Sequence, residues 1–91
     1  MQLRWASKAL SDLGRLHDFL SQTNAKSADR TVKALASAPY TLLVNPRIGE
    51  RLPQFGTIEV RRILVKQYEI RYEIKDSWIT ILRIWHTKEH R

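Results

Sequence analysis

The sequence predicts an α+β fold: a short strand, a two-helix hairpin, then three antiparallel strands. Three observations predict it. Leucines recur at helical spacing near the N-terminus. A later segment alternates between aromatic or aliphatic residues and charged ones. Polar two-residue breaks separate the strand-like segments, and these are short enough to close hairpins.

Leu3-Arg4-Trp5 alternates and reads as the first strand. Ser7 reads as an N-cap. Behind it Leu10, Leu13, Leu16 (or His17) and Leu20 form an apolar stripe, with Asp12, Arg15 and Asp18 off it, so a helix is expected over 8–22. His17, on the stripe edge, reads as a packed residue rather than a ligand. Thr23-Asn24 breaks the pattern. A second helix should begin near Ser27 or Ala28 with Val32, Leu35 and Ala36 inward. Pro39 interrupts it, and since proline is tolerated in a first turn, a fresh turn carrying Leu42 and Leu43 is expected. Residues 45–49 and 52–56, rich in Pro and Gly, read as loops.

The remainder reads as strands over 58–65, 68–75 and 78–86, with Asp76-Ser77 as a hairpin loop. A regular ladder from that loop pairs Ile74 with Ile79, Tyr72 with Ile81, Ile70 with Arg83 and Tyr68 with Trp85, all on the face covering the helices. Glu69, Arg71 and Glu73 then share the open face with Thr80, Leu82 and Ile84, and His86 lies beyond. If Lys66-Gln67 is also a two-residue loop, Arg62 sits opposite Arg71 on the open face, with Glu69 and His86, and Arg61 lies near Tyr72. A one-residue slip exchanges Arg61 and Arg62.

Composition narrows the function. The 91 residues make one domain, 1–91, with a modest core that burial by a partner would reinforce. With no cysteine, disulfides, thiolate catalysis and cysteine–zinc sites are excluded. His17, His86 and His90 lack a zinc-protease pattern, so no metal and no cofactor are expected. No apolar run follows Met1, and none approaches the ~20 residues of a membrane span, so a cytoplasmic location without membrane contact is expected. The net charge is +7, and ten of the 16 basic residues are arginine. That points to an anionic partner, a nucleic acid or an acidic protein segment, gripped through bidentate guanidinium groups.

The element order, together with Pro46-Arg47-Ile48-Gly49, Val60-Arg61-Arg62, Tyr68-Glu69-Ile70-Arg71-Tyr72 and Ile81-Leu82-Arg83-Ile84-Trp85-His86, resembles the RelE/ParE toxin superfamily over nearly the whole chain. The resemblance implies a toxin neutralised by a cognate antitoxin, whose acidic, partly disordered segment folds onto the basic surface to form a hetero-oligomer. It also implies one of two targets: RelE-like members cut messenger RNA in the ribosome with basic residues on the open sheet face, and ParE-like members poison DNA gyrase.

Arg62, Arg71 and His86, beside Glu69, form the candidate catalytic set if the chain is a ribonuclease, since RNA cleavage needs proton transfer and phosphate stabilisation. The match to the RelE-like pattern is incomplete. Val60 stands where a second basic residue is expected and Glu69 where an arginine is, and the tail lacks a tyrosine. Gyrase inhibition is therefore favoured over mRNA cleavage, with a non-toxic nucleic-acid-binding module as a third reading. Arg47, Arg51, Arg61, Arg83, Lys88 and Arg91 are the candidate target-binding residues. A structural ion pair to Asp12, Asp18 or Glu59 is the alternative for Arg83, and core packing the expectation for Trp78 and Trp85.

Overall fold

The computed structural model describes residues 1–89. The chain runs through β1 (Gln2–Trp5), α1 (Ser7–Ser21), α2 (Ala25–Ser37), a 3-10 turn (Ala38–Leu43), β2 (Glu50–Arg51), a second 3-10 turn (Pro53–Phe55), β3 (Glu59–Val65), β4 (Tyr68–Lys75) and β5 (Trp78–His86). Five strands form one sheet in the order β1-β5-β4-β3-β2, with β1 parallel to β5 and the other pairs antiparallel. This is the expected α+β arrangement, with one addition. Glu50 and Arg51, between the two loops expected from the sequence, pair with Arg62 and Arg61 as an edge strand. Two residues carry too little periodicity to announce a strand.

The helices cover one face of the sheet. Ala9 and Leu16 of α1, Leu35 of α2 and Leu42 of the 3-10 turn pack on Ile70, Tyr72, Ile74, Ile79, Ile81 and Ile84. Their burial removes the apolar face of β4 and β5 from water, which supplies most of the stabilisation, ~25 cal/mol per Å². Pro39 sits in the first turn of the 3-10 helix, in line with its tolerance there. Asn24 caps α2 by accepting a hydrogen bond from the Ser27 amide at 3.0 Å, so the helix starts at Ala25, earlier than the apolar spacing suggests.

Two expectations for α1 are corrected. Ala6, not Ser7, is the N-cap, and no side chain caps the helix. The Ala6 amide instead donates to the Ile81 carbonyl at 2.9 Å, so the chain stays bound to the sheet until the helix begins. The buried stripe is also rotated: Leu10 is 55% exposed, and Ala9, Asp12 and Leu16 face inward. A buried aspartate breaks the apolar pattern, and its reason lies in β5.

Candidate functional site

β5 carries a bulge. Tyr72 pairs with Ile81 as expected, but Arg71 then pairs with Arg83, leaving Leu82 as the extra residue. Beyond it Ile70 faces Ile84, Glu69 faces Trp85 and Tyr68 faces His86. Each of these differs by one residue from the regular ladder, so every side chain after Leu82 changes face. Ile84 enters the core with no exposure, and Arg83 and Trp85 join Arg71 and Glu69 on the opposite face. His86 moves away from that face and sets its ring edge-on to Tyr68, with centroids 5.2 Å apart.

The bulge lies where β5 loses its outer neighbour. β1 ends at Trp5, opposite Ile81. At the next unpaired edge position α1 takes over the role of a strand. Asp12 accepts from the Ile84 amide at 2.8 Å, and Arg15 donates to the Ile84 carbonyl at 3.2 Å. Asp12 also holds Arg83 through contacts of 2.9 and 3.1 Å. Arg83 thus has a structural ion pair. Burial pushes the Asp12 carboxyl up, but hydrogen bonds from Arg83, the Ile84 amide and Arg15 outweigh it and hold the group below its ordinary range.

The opposite sheet face gathers Arg62 and Arg71 around Glu69. The register settles the earlier ambiguity, placing Arg62 opposite Arg71 and Arg61 opposite Tyr72. Glu69 has no exposure, so its ion pairs are buried on the carboxylate side. It takes Arg62 at 3.3 Å through one oxygen and Arg71 at 2.9 Å through the other. Arg62 also reaches Glu50 at 2.8 Å, and hydrogen bonding there, aided by that charge, raises its pKa further. The Arg71 guanidinium lies 4.7 Å from the Trp85 ring centre and 5.7 Å from that of Phe55; Arg83 lies 4.9 Å from Trp85. Trp85 is 7% exposed and packed among guanidinium groups rather than displayed for base stacking.

Of the candidate catalytic set, then, Arg62 and Arg71 come together and His86 does not. The regular ladder that placed His86 with them is broken at Leu82.

The candidate target-binding residues divide. Glu59 holds both Arg47 (3.0 Å) and Arg61 (2.8 Å), and these two hydrogen bonds lower its pKa. Arg61, only 16% exposed, donates to the Gly49 carbonyl at 2.7 Å and so works as a loop clamp. The Tyr72 hydroxyl completes the clamp, donating to the Pro46 carbonyl at 2.7 Å and accepting from the Gly49 amide at 3.1 Å. Arg47, Arg51 and Lys88 are exposed. Arg91 lies outside the described residues. Among those residues no cluster could hold a metal ion, and no helix is long and apolar enough to cross a membrane.

Against this geometry, the family model for the ParE toxin of the parDE type II toxin–antitoxin system matches residues 3–91. The chain belongs to the ParE toxin family. As a RelE/ParE-superfamily toxin, it has an antitoxin as partner. Toxin RelE2 of Caulobacter vibrioides is similar, 31% identical over 86 residues that span 93% of each chain. A solved structure of the chromosomal ParDE system from P. aeruginosa shares the fold, with a TM-score of 0.78 at 24% identity over 94% of this chain and 95% of that one.

Several residues of this ParE-family chain do more than their sequence pattern indicates: Tyr72, on the core face, and Gly49, in a loop, form the clamp, and Phe55, also in a loop, lies beside Arg71. A signal existed for the bulge: Ile81-Leu82 and Ile84-Trp85 are adjacent apolar pairs that interrupt strict alternation.

Proposed function

We propose that this ParE-family toxin arrests growth by inhibiting DNA gyrase, without cutting RNA, in the cytoplasm and until its antitoxin binds it. The observation that supports this reading is the buried Glu69 between Arg62 and Arg71. Metal-free RNA cleavage needs cations free to stabilise a phosphorane charge and a group that can move protons at the same phosphate. Here one carboxylate already neutralises part of both guanidinium charges, and Arg62 has a second acidic partner in Glu50. The histidine that could move a proton lies on the other side of the sheet. Target contact then falls to the exposed Arg47, Arg51 and Lys88, outside the arginine–glutamate cluster.

The test is a pair of assays on cells inducing the protein: gyrase-trapped DNA breaks with plasmid supercoiling, and mapping of mRNA ends. Gyrase-linked breaks with intact transcripts are expected. Codon-phased mRNA cleavage with normal supercoiling would replace this reading with the ribosome-dependent endonuclease. Steep salt-dependent nucleic-acid binding without growth arrest would point to the non-toxic module instead.

A further inference from the structure

The segment that leads from α2 to β2 shows apolar side chains to water. In the 3-10 turn, side chains at i and i+3 stand in line. Pro39 and Leu42 are the buried pair, so Tyr40 and Leu43 line up outward, 60% and 38% exposed. The chain then reverses. The Ile48 amide donates to the Asn45 carbonyl at 3.3 Å, with Pro46 fixing φ at the second position of that turn. Val44, just before the turn, is 90% exposed, and Ile48, at its end, is 64% exposed. Single exposed apolar residues are ordinary, but four of them within residues 40–48 mark an interaction surface.

This segment is held rigid at its tip. The Tyr72 hydroxyl binds the Pro46 carbonyl and the Gly49 amide. The Arg61 guanidinium donates to the Arg47 carbonyl at 3.3 Å and to the Gly49 carbonyl at 2.7 Å. Main-chain groups on both sides of Ile48 are thus tied to side chains of β3 and β4. The ordering entropy of the tip is met on folding, and a partner that takes Val44 and Ile48 does not bear it. Arg47 lies within the same turn. Glu59 holds its Nε and Nη2, its Nη1 has no partner among the described residues, and its side chain stays 57% exposed. Arg51, exposed just beyond, has no acidic partner among those residues.

We propose that Val44 and Ile48 are the anchors that seat the toxin in an apolar, acid-rimmed pocket of DNA gyrase, with Arg47 and Arg51 pairing with the rim. The proposal rests on the gyrase reading and adds to it the contact surface and the chemistry of the partner. Charge complementarity commits the occupant: apolar anchors flanked by two guanidinium groups, on a chain of net charge +7, fit an apolar pocket bordered by carboxylates. A second copy of the chain would set like charges against each other at this surface. An acidic disordered segment moulds itself to its host and gains little from a loop fixed in advance, whereas a folded surface gains most.

The test compares the purified full chain and its variants in a gyrase supercoiling assay, beside calorimetric titration with the antitoxin and sedimentation. Val44→Ser and Ile48→Ser change exposed side chains that the core does not use. Each is expected to raise the toxin concentration for half-inhibition about tenfold or more, with antitoxin affinity and circular dichroism unchanged. Leu64→Ser, at a 61% exposed position toward the other end of β3 from Glu59, is expected to leave inhibition unchanged. Full inhibition by both loop variants overturns this surface and leaves the gyrase reading intact. Loss of antitoxin affinity in either loop variant overturns the proposal in favour of the antitoxin as occupant. Self-association that Val44→Ser abolishes, with inhibition unchanged, overturns it in favour of a second copy. No inhibition of gyrase by the wild type overturns the gyrase reading and this proposal together.

Discussion

Asp12 of α1 and Ile84 of β5 are joined by a hydrogen bond of 2.8 Å from a strand amide to a helix carboxylate, 72 residues apart in sequence. The carboxylate stands in for the strand that β1 no longer provides, and its second role is to anchor Arg83. Removing it strands an amide and a guanidinium together. Asp12→Ala is expected to cost roughly 2–4 kcal/mol in chemical denaturation, because buried groups left unpaired lose their full hydration. Asp12→Asn keeps an acceptor for one donor and should cost less. Equal stability of Asp12→Ala and wild type would show that the edge needs no cap.

Acid should expose the same relationship. Asp12 and Glu59 have pKa values lowered on folding, Asp12 by its hydrogen bonds outweighing burial and Glu59 by Arg47 and Arg61. A lowered folded pKa adds stability that is fully present above the unfolded value, about 4, and is lost as pH falls through the folded value. Stability measured by urea titration should therefore be flat from neutral pH to near 5 and decline below about 4. Asp12→Asn should decline less steeply over that window.

Gly49 has no room for a side chain. A Cβ there would lie 2.6 Å from the Arg62 carbonyl oxygen and 2.6 Å from the Tyr72 hydroxyl. Gly49→Ala is expected to destabilise by roughly 1–3 kcal/mol, since the nearest atoms include backbone that cannot swing away. Tyr72→Phe keeps the ring and removes the hydroxyl from Pro46 and Gly49, with an expected cost of about 1–2 kcal/mol. Thermal melts of both variants check this. Because the clamp sets the path of the exposed Arg47, both variants should also lose toxicity at temperatures where they remain folded.

The two readings of the open face separate at His86 and Arg62. Under gyrase inhibition, His86→Ala and Arg62→Ala retain growth arrest once circular dichroism shows them folded. If both variants abolish growth arrest while still binding antitoxin, the endonuclease reading gains the site. Arg71→Ala is a poorer probe, because it takes from the buried Glu69 the guanidinium that donates twice to its Oε2.

Lys66 opens the β3–β4 turn with φ 55°, in the left-handed region that costs a lysine roughly 1 kcal/mol or more. Lys66→Asn should raise stability by about 0.5–1 kcal/mol, because asparagine tolerates that conformation. An unchanged denaturation midpoint would mean the turn is not strained.

Alternation in Tyr68–Lys75 and the polar pair Asp76-Ser77 determined β4, the hairpin and its register as far as Tyr72 and Ile81. Apolar spacing determined that two helices precede the strands, and an arginine-rich balance pointed to an anionic partner. The element order carried the resemblance to the toxin superfamily. These features are local: periodicity of 2 or 3.6 residues and turn chemistry are written along the chain. Tertiary structure decided the bulge at Leu82, because nothing within β5 states where β1 stops or that Asp12 waits opposite the free edge. That one residue chose the faces of Arg83, Trp85 and His86, and so separated the histidine from the arginines. It also decided that Glu69 is buried, since its burial comes from β3, β5 and the side chains above it. A strand fixes which residues share a face only while its ladder stays regular, and the partners that interrupt the ladder here lie on another element, far away in sequence.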